Sequence, residues 1–233
     1  MSVHPRNTQT NRYPLFHEIF GNTKESTVLD FGGSSGNLLY FSNGNIKEEN
    51  YTCIDIVENA IMQGRAEFSN AEFIHNNRYN WMYNHAGNRE LKFPNVNKNQ
   101  DYIWAYSVFS HTDLDEFIQT IKWFTTFNFK KIAVSFLTFN EMLVWAYNKR
   151  YSEYGECVDI KKYHNTTCYN IMYLFDNNKV TFDNSTLANI NCKYLLTFYN
   201  TNWLIERLAQ EGLNINIVYP GDGYVPFLYM EKK

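Results

Sequence analysis

Val28-Leu29-Asp30-Phe31-Gly32-Gly33-Ser34-Ser35-Gly36 leads from a short β-prone run into a glycine-rich turn, and Asn37, Leu38, Leu39 and Phe41 then begin a helix. It is the strongest local signal in the chain. Glycines let a backbone approach a ligand with no Cβ in the way. In an open α/β sheet, ligands sit beyond the carboxyl ends of the strands, at the point where strand order reverses.

The flanking sequence supplies such a sheet. Pro14 to Phe20 reads as a short helix stopped by Gly21, behind a loose polar arm. Ser26–Phe31, Tyr51–Val57, Glu72–His75, Asp101–Tyr106 and Lys131–Leu137 read as strands, and Glu58–Phe68 as a helix. Thr112 is placed to cap a further helix. Asp113, Asp115 and Glu116 suit its positive end, and Leu114, Phe117, Ile118, Ile121 and Phe124 recur at helical spacing. Trp203, Leu204 and Leu208 mark a late helix closed by Gly212. Leu213–Tyr219 and Val225–Met230, joined by Pro220-Gly221-Asp222-Gly223, read as an antiparallel terminal hairpin. Strands alternating with helices predict a Rossmann-like, doubly wound α/β fold: a mainly parallel seven-stranded sheet, with an insertion after strand five. The whole chain, 1–233, is expected to be one domain, with 139–200 an insertion that covers the site. That block holds a helical pattern around Met142–Arg150 and β-prone pieces such as Tyr169–Leu174. Residues 76–100 form a long polar stretch, either functional or a tolerated surface insertion.

Two cofactor classes use a turn of this kind. A dinucleotide wants GxGxxG, but counting from Gly32 the second and third glycine positions hold Ser34 and Asn37. The acid two residues before Gly32 gives no help to a pyrophosphate, and it suits a cofactor with a positively charged amino acid end. The pattern acid-x-Gly-x-Gly-x-Gly, met here by Asp30, Gly32 and Gly36 with Ser34 at the middle glycine, resembles the class I S-adenosylmethionine-dependent methyltransferases. Asp55 follows 25 positions after Asp30, and Ala105-Tyr106-Ser107-Val108-Phe109-Ser110-His111 is similar to a segment of the small-molecule subgroup. The resemblance spans about 26–137 well and 198–230 loosely.

The resemblance implies S-adenosylmethionine as cofactor and methyl transfer to an oxygen or nitrogen of a small molecule: a sugar, a lipid head group or a natural-product intermediate. It implies that Asp30, Gly32, Gly33 and Gly36 cradle the methionine end and ribose. It also implies that Asp55 accepts from the ribose hydroxyls, that Ile56 flanks the adenine, and that Asn77, or else Asn76, meets the adenine amino group. Ala105 and Tyr106 complete this side. His111 is the candidate catalytic residue, as a base for an attacking hydroxyl or amine; the other reading is a histidine that orients the loop. Tyr13, Phe109 and Trp145 are candidate substrate contacts, with core packing as their alternative.

The remaining features exclude more than they assign. Net charge is −3, and no basic stripe marks a nucleic-acid surface. Four cysteines lack CxxC spacing; Cys53 reads as a buried thiol, and His164 with Cys168 matches no zinc pattern. No metal is expected. No apolar run approaches the ~20 residues of a membrane helix, and Met1–Asn11 lacks a signal-peptide core, so a cytoplasmic setting is the expectation. Two rival functions share the fold: an aminopropyl transferase, and a non-catalytic binding or partner subunit.

Overall fold

Apolar residues at alternate positions on both faces of a strand require cover on both sides. The chain provides it with helices of α1 (Tyr13–Phe20), α2 (Asn37–Ser42), α3 (Glu58–Glu67), α4 (Leu114–Thr125) and α5 (Thr201–Gln210). The structure is a computed structural model and describes residues 11–80, 83–138, 157–163, 168–174, 192–199, 201–220 and 226–231. Its strands are β1 (Val28–Phe31), β2 (Tyr51–Asp55), β3 (Glu72–His75), β4 (Tyr102–Ala105), β5 (Lys131–Ser135), β6 (Leu137–Thr138), β7 (Cys157–Tyr163), β8 (Cys168–Leu174), β9 (Cys192–Tyr199), β10 (Asn216–Val218) and β11 (Phe227–Glu231).

Seven strands form one sheet in the order β3-β2-β1-β4-β5-β11-β10. β1 to β5 run parallel, while β11 is antiparallel to both β5 and β10, as the terminal hairpin requires. From β1 the chain steps outward to β2 and β3, then returns to the other side of β1 at β4. Right-handed crossovers that advance in opposite directions leave their helices on opposite faces. Val28, Tyr51, Cys53, Trp104 and Ala133 accordingly pack with α1, α2 and α3. Leu29, Ile54, Ile103, Ile132 and Leu228 pack with α4 and α5. The reversal falls between β1 and β4, which places the glycine turn and the loop after β4 side by side.

Close packing of α3 on β3 depends on Gly64. A Cβ there would stand 2.2 Å from Cε1 of Phe73, whose ring is buried and stacked on Phe68. Gly64→Ala should therefore destabilise the fold by about 1–2 kcal/mol, overpacking outweighing the gain in helix propensity. Urea denaturation with an unchanged m-value would check this.

Three expectations need adjustment. The cap of α4 is Asp113, whose side chain accepts from the Glu116 amide at 2.8 Å, not Thr112. Thr112 instead ends a 3-10 turn, Phe109–His111, and its hydroxyl is buried without a partner. The fifth strand breaks at Phe136, and Leu137–Thr138 joins a second sheet of order β6-β9-β8-β7. The first strand of the hairpin is shorter than expected, because Leu213 and Ile215 enter the α4–α5 core before pairing begins. The β-prone piece at Tyr169–Leu174 is β8, the centre of an antiparallel meander. The helical pattern at Met142–Arg150 lies outside the described residues. No described helix is long and apolar enough to cross a membrane.

Candidate cofactor and substrate site

β1 delivers Asp30 into the layer beneath the glycine turn, at 4% exposure. Burial without a cation raises the carboxyl pKa to about 7; the Tyr51 hydroxyl draws it down and Asp55 pushes it up. Gly32 turns the chain at φ +78 and its amide donates to Ile54 O at 2.7 Å. A Cβ on Gly32 would meet Val108 Cγ2 at 2.3 Å, so the turn lies directly against the loop after β4. At Gly33 the constraint is space: a Cβ would stand 2.6 Å from the Asp30 carboxyl and 2.8 Å from Cys53 Sγ. Gly36 opens α2 next to the Phe73 ring. Each of the three glycines thus lets the turn pack closely where a side chain would clash.

β2 ends in Asp55, which is 8% exposed. Its Oδ2 accepts from the Ser34 amide at 2.7 Å and its Oδ1 from the Val57 amide at 2.8 Å. Burial raises its pKa, against the pull of the Val57, Ser34 and Ile56 amides and of His75. Each carboxylate oxygen carries two lone pairs, so capacity remains for a vicinal diol. Ile56 is half-buried, its carbonyl 3.3 Å from His75 Nε2. The two amides after β3 differ sharply. Asn77 is exposed and its side-chain oxygen accepts from Asn84, whereas Asn76 is buried and its Nδ2 has no partner.

Ala105 ends β4, fully buried, and half-buried Tyr106 follows with the Arg12 guanidinium 4.8 Å above its ring. Ser107 occupies the left-handed region at φ 59, and its amide is held by Ser135 Oγ at 2.7 Å. The loop then forms the 3-10 turn that carries His111. Asn80 Nδ2 donates to the His111 carbonyl at 3.0 Å, and the imidazole meets the Tyr83 ring edge-on at 5.5 Å. From the other side, Thr197 Oγ1 on β9 donates to the Thr112 carbonyl at 2.7 Å. The second sheet is thereby fastened to the segment that holds His111.

Beside His111 lies a cleft of about 140 Å³ between the loop after β3 and the start of α4. Every residue lining it is polar or charged, among them Arg78, Asn80, Arg89, Asp115 and Glu116. Arg78 pairs with Glu116 at 2.9 Å, and burial pushes the Glu116 carboxyl up against that pull. In the sequence Asp115 and Glu116 read only as acids at a helix start, because the meeting of Glu116 with Arg78 spans 38 positions of chain.

Of the substrate candidates, Tyr13 is half-buried at the start of α1, stacked near Phe16 and His17. Phe109 is wholly buried, its ring 4.2 Å from that of Phe117, so it supports the loop from within the core and does not line the cleft. Trp145 and His164 lie outside the described residues. Cys53 is a free, buried thiol. Among the described residues, no group of His, Cys, Asp or Glu converges as a metal site.

Residues 29–125 match the family model of a methyltransferase domain. This part of the chain is similar to a methyltransferase domain. No curated protein matches the chain. Among solved structures it is similar to the PH0226 protein from Pyrococcus horikoshii OT3, at 15% identity and a TM-score of 0.53, covering 89% of this chain and 83% of that one. DesVI from Streptomyces venezuelae follows at 12% identity and 0.51, covering 92% and 87%. The DhpI-SAM-HEP complex stands at 13% and 0.50, covering 93% and 83%. Identities this low speak for shared fold alone. The sheet has a Rossmann-like architecture, and the matched residues include the glycine turn, Asp55 and the loop after β4.

Proposed function

We propose that the chain binds S-adenosylmethionine and transfers its methyl group to an oxygen or nitrogen of a polar small molecule. The observation that carries this reading is a turn whose Gly32, Gly33 and Gly36 leave no room for a Cβ, with a buried acid at each side, Asp30 and Asp55. The DhpI complex, of the same fold, contains SAM.

Bound S-adenosylmethionine supplies a methyl group already activated on a sulfonium. The protein's part is then chiefly to hold and align. Asp30, when ionised, complements the ammonium of the amino acid end, while Gly32, Gly33 and Gly36 keep the turn open. Asp55 accepts from the ribose hydroxyls, and Ile56 flanks the adenine. Asn76 brings an unpartnered buried N–H that would donate to an adenine ring nitrogen, so it is the better placed of the two amides to contact the base, by a different atom from the amino group first expected. Ala105 and Tyr106 border the methionine side. His111 would take the proton of the attacking hydroxyl or amine. The charged and hydrogen-bonding side chains that line the cleft among the described residues favour a hydroxylated or aminated acceptor, such as a sugar, over a lipid chain. We assign residues 139–200 the role of cover over this cleft, on the strength of the Thr197–Thr112 bond.

Calorimetric titration with S-adenosylhomocysteine tests the cofactor, and micromolar binding is expected. His111→Gln should leave that affinity unchanged and lower the transfer rate to a hydroxylated or amino acceptor about 100-fold or more. A folded wild type that does not bind would point instead to a non-catalytic relative. Binding with undiminished turnover in the variant would remove His111 from the chemistry.

A further inference from the structure

Three side chains on one face of β2 are aimed at the glycine turn. Tyr51, Cys53 and Asp55 alternate along the strand, so they project to the same side. Asp30 pairs in register with Cys53, which makes Tyr51 and Asp55 its diagonal neighbours on that face. Tyr51 Oη donates to Asp30 Oδ2 at 2.5 Å. Cys53 Sγ donates to the Ser34 carbonyl at 3.5 Å, and Asp55 Oδ2 accepts from the Ser34 amide at 2.7 Å. Ser34 stands where the turn pattern has its middle glycine and adopts φ 55, a left-handed conformation unfavourable to a residue with a Cβ. Both of its backbone polar groups are pinned by β2. The Asp30 carboxyl is pressed between the Tyr51 hydroxyl and the space a Gly33 Cβ would need, and Tyr51 is 1% exposed.

We propose that Tyr51 is a positioning residue of the methyl-donor site: its hydroxyl holds the Asp30 carboxylate under the turn and, with Cys53 and Asp55, presets the turn before the cofactor arrives. This rests on the reading of the turn as the S-adenosylmethionine site. A turn assembled in advance is not ordered at the expense of binding. The titratable groups that face Asp30 are Tyr51, Cys53 and Asp55, all from β2. Of these, only the Tyr51 hydroxyl favours the ionised form of Asp30 by hydrogen bonding, so its removal delays ionisation to higher pH.

Tyr51→Phe keeps the ring and removes only the donor. Two readouts are needed. Without ligand, hydrogen exchange at the Ser34 and Gly36 amides should quicken about tenfold, while the Val28–Phe31 ladder with β2 keeps its protection. With S-adenosylhomocysteine, the midpoint of the rise of affinity with pH should move up by about one unit, so that affinity falls about threefold at pH 7.5 and about tenfold at pH 6. Cys53→Ser, which keeps a donor, should retain turn protection. Unchanged exchange in the folded Tyr51 variant would overturn the proposal, as would an affinity loss equal at every pH. If the wild type binds no S-adenosylhomocysteine, the cofactor reading falls, while the exchange comparison still decides whether Tyr51 presets the turn.

Discussion

Asp55→Ala should reduce S-adenosylhomocysteine affinity by roughly 100-fold or more, with the sheet intact. The side chain holds two structural amides and retains acceptor capacity for the ribose, so its removal acts twice. The Ser34 and Val57 amides lose a charged acceptor in a site where water does not readily replace it. Ser34, at φ 55, then loses one of the two contacts that hold it there. A hydrogen bond to a charged partner contributes about 1.5–3 kcal/mol, and the ribose contacts alone account for a large fraction of the loss. Asp55→Asn keeps one acceptor oxygen and should fall between the two. Calorimetry measures the affinities, and far-ultraviolet circular dichroism checks that the fold survives. An alanine variant that binds as the wild type does would remove Asp55 from the site.

Asp30→Asn should stabilise the protein at pH 8 and weaken its cofactor binding there. In the folded chain the Asp30 pKa lies near 7, above its value of about 3.9 in an unfolded chain. The native state therefore holds the proton more tightly than the unfolded state between those values. Stability is greatest below about pH 4 and declines as pH rises toward 7, after which the cost of an ionised buried acid is constant. The asparagine variant carries no such cost. Its advantage should be close to zero at pH 4, grow across pH 4–7 and level off above, with an upper bound of about 4 kcal/mol from the size of the shift. A rise in melting temperature of about 5 °C at pH 8 is the expected reading. Affinity for S-adenosylhomocysteine at pH 8 should drop about tenfold, since the carboxylate no longer faces the ammonium. A melting difference that is the same at every pH would contradict a raised pKa. A stable variant with full affinity would show that Asp30 serves the fold and not the ligand. Such a trade of stability for function is common where a site demands a charge the core does not favour.

The alternation of short apolar strands with helical patterns, the turn Gly32-Gly33-Ser34-Ser35-Gly36 and the acid at the end of each of the first two strands are local features. They were readable because strand period, helix period and glycine turns are imposed within a few residues of chain. Boundaries were less legible. Thr112 and Asp113 are both good caps, and the choice depended on which backbone amides the folded 3-10 turn leaves open. Phe109 looked like a residue of the pocket because of its neighbours in sequence, yet the packing of α4 turned it onto Phe117.

By itself, then, the sequence determined the class of fold, the place of the glycine turn and the two acids that flank it, since each follows from residue type and short-range spacing. The tertiary structure alone decided which side chains surround that turn. Parallel register sets Tyr51 and Cys53 against Asp30 across some twenty positions of chain, and the loop after β3 brings Arg78 to Glu116. It also chose Asn76 as the buried amide and joined β9 to the His111 turn through Thr197. The physical reason is that a strand's neighbours across the sheet, and the burial that raises the pKa of Asp30, exist only once distant segments have paired.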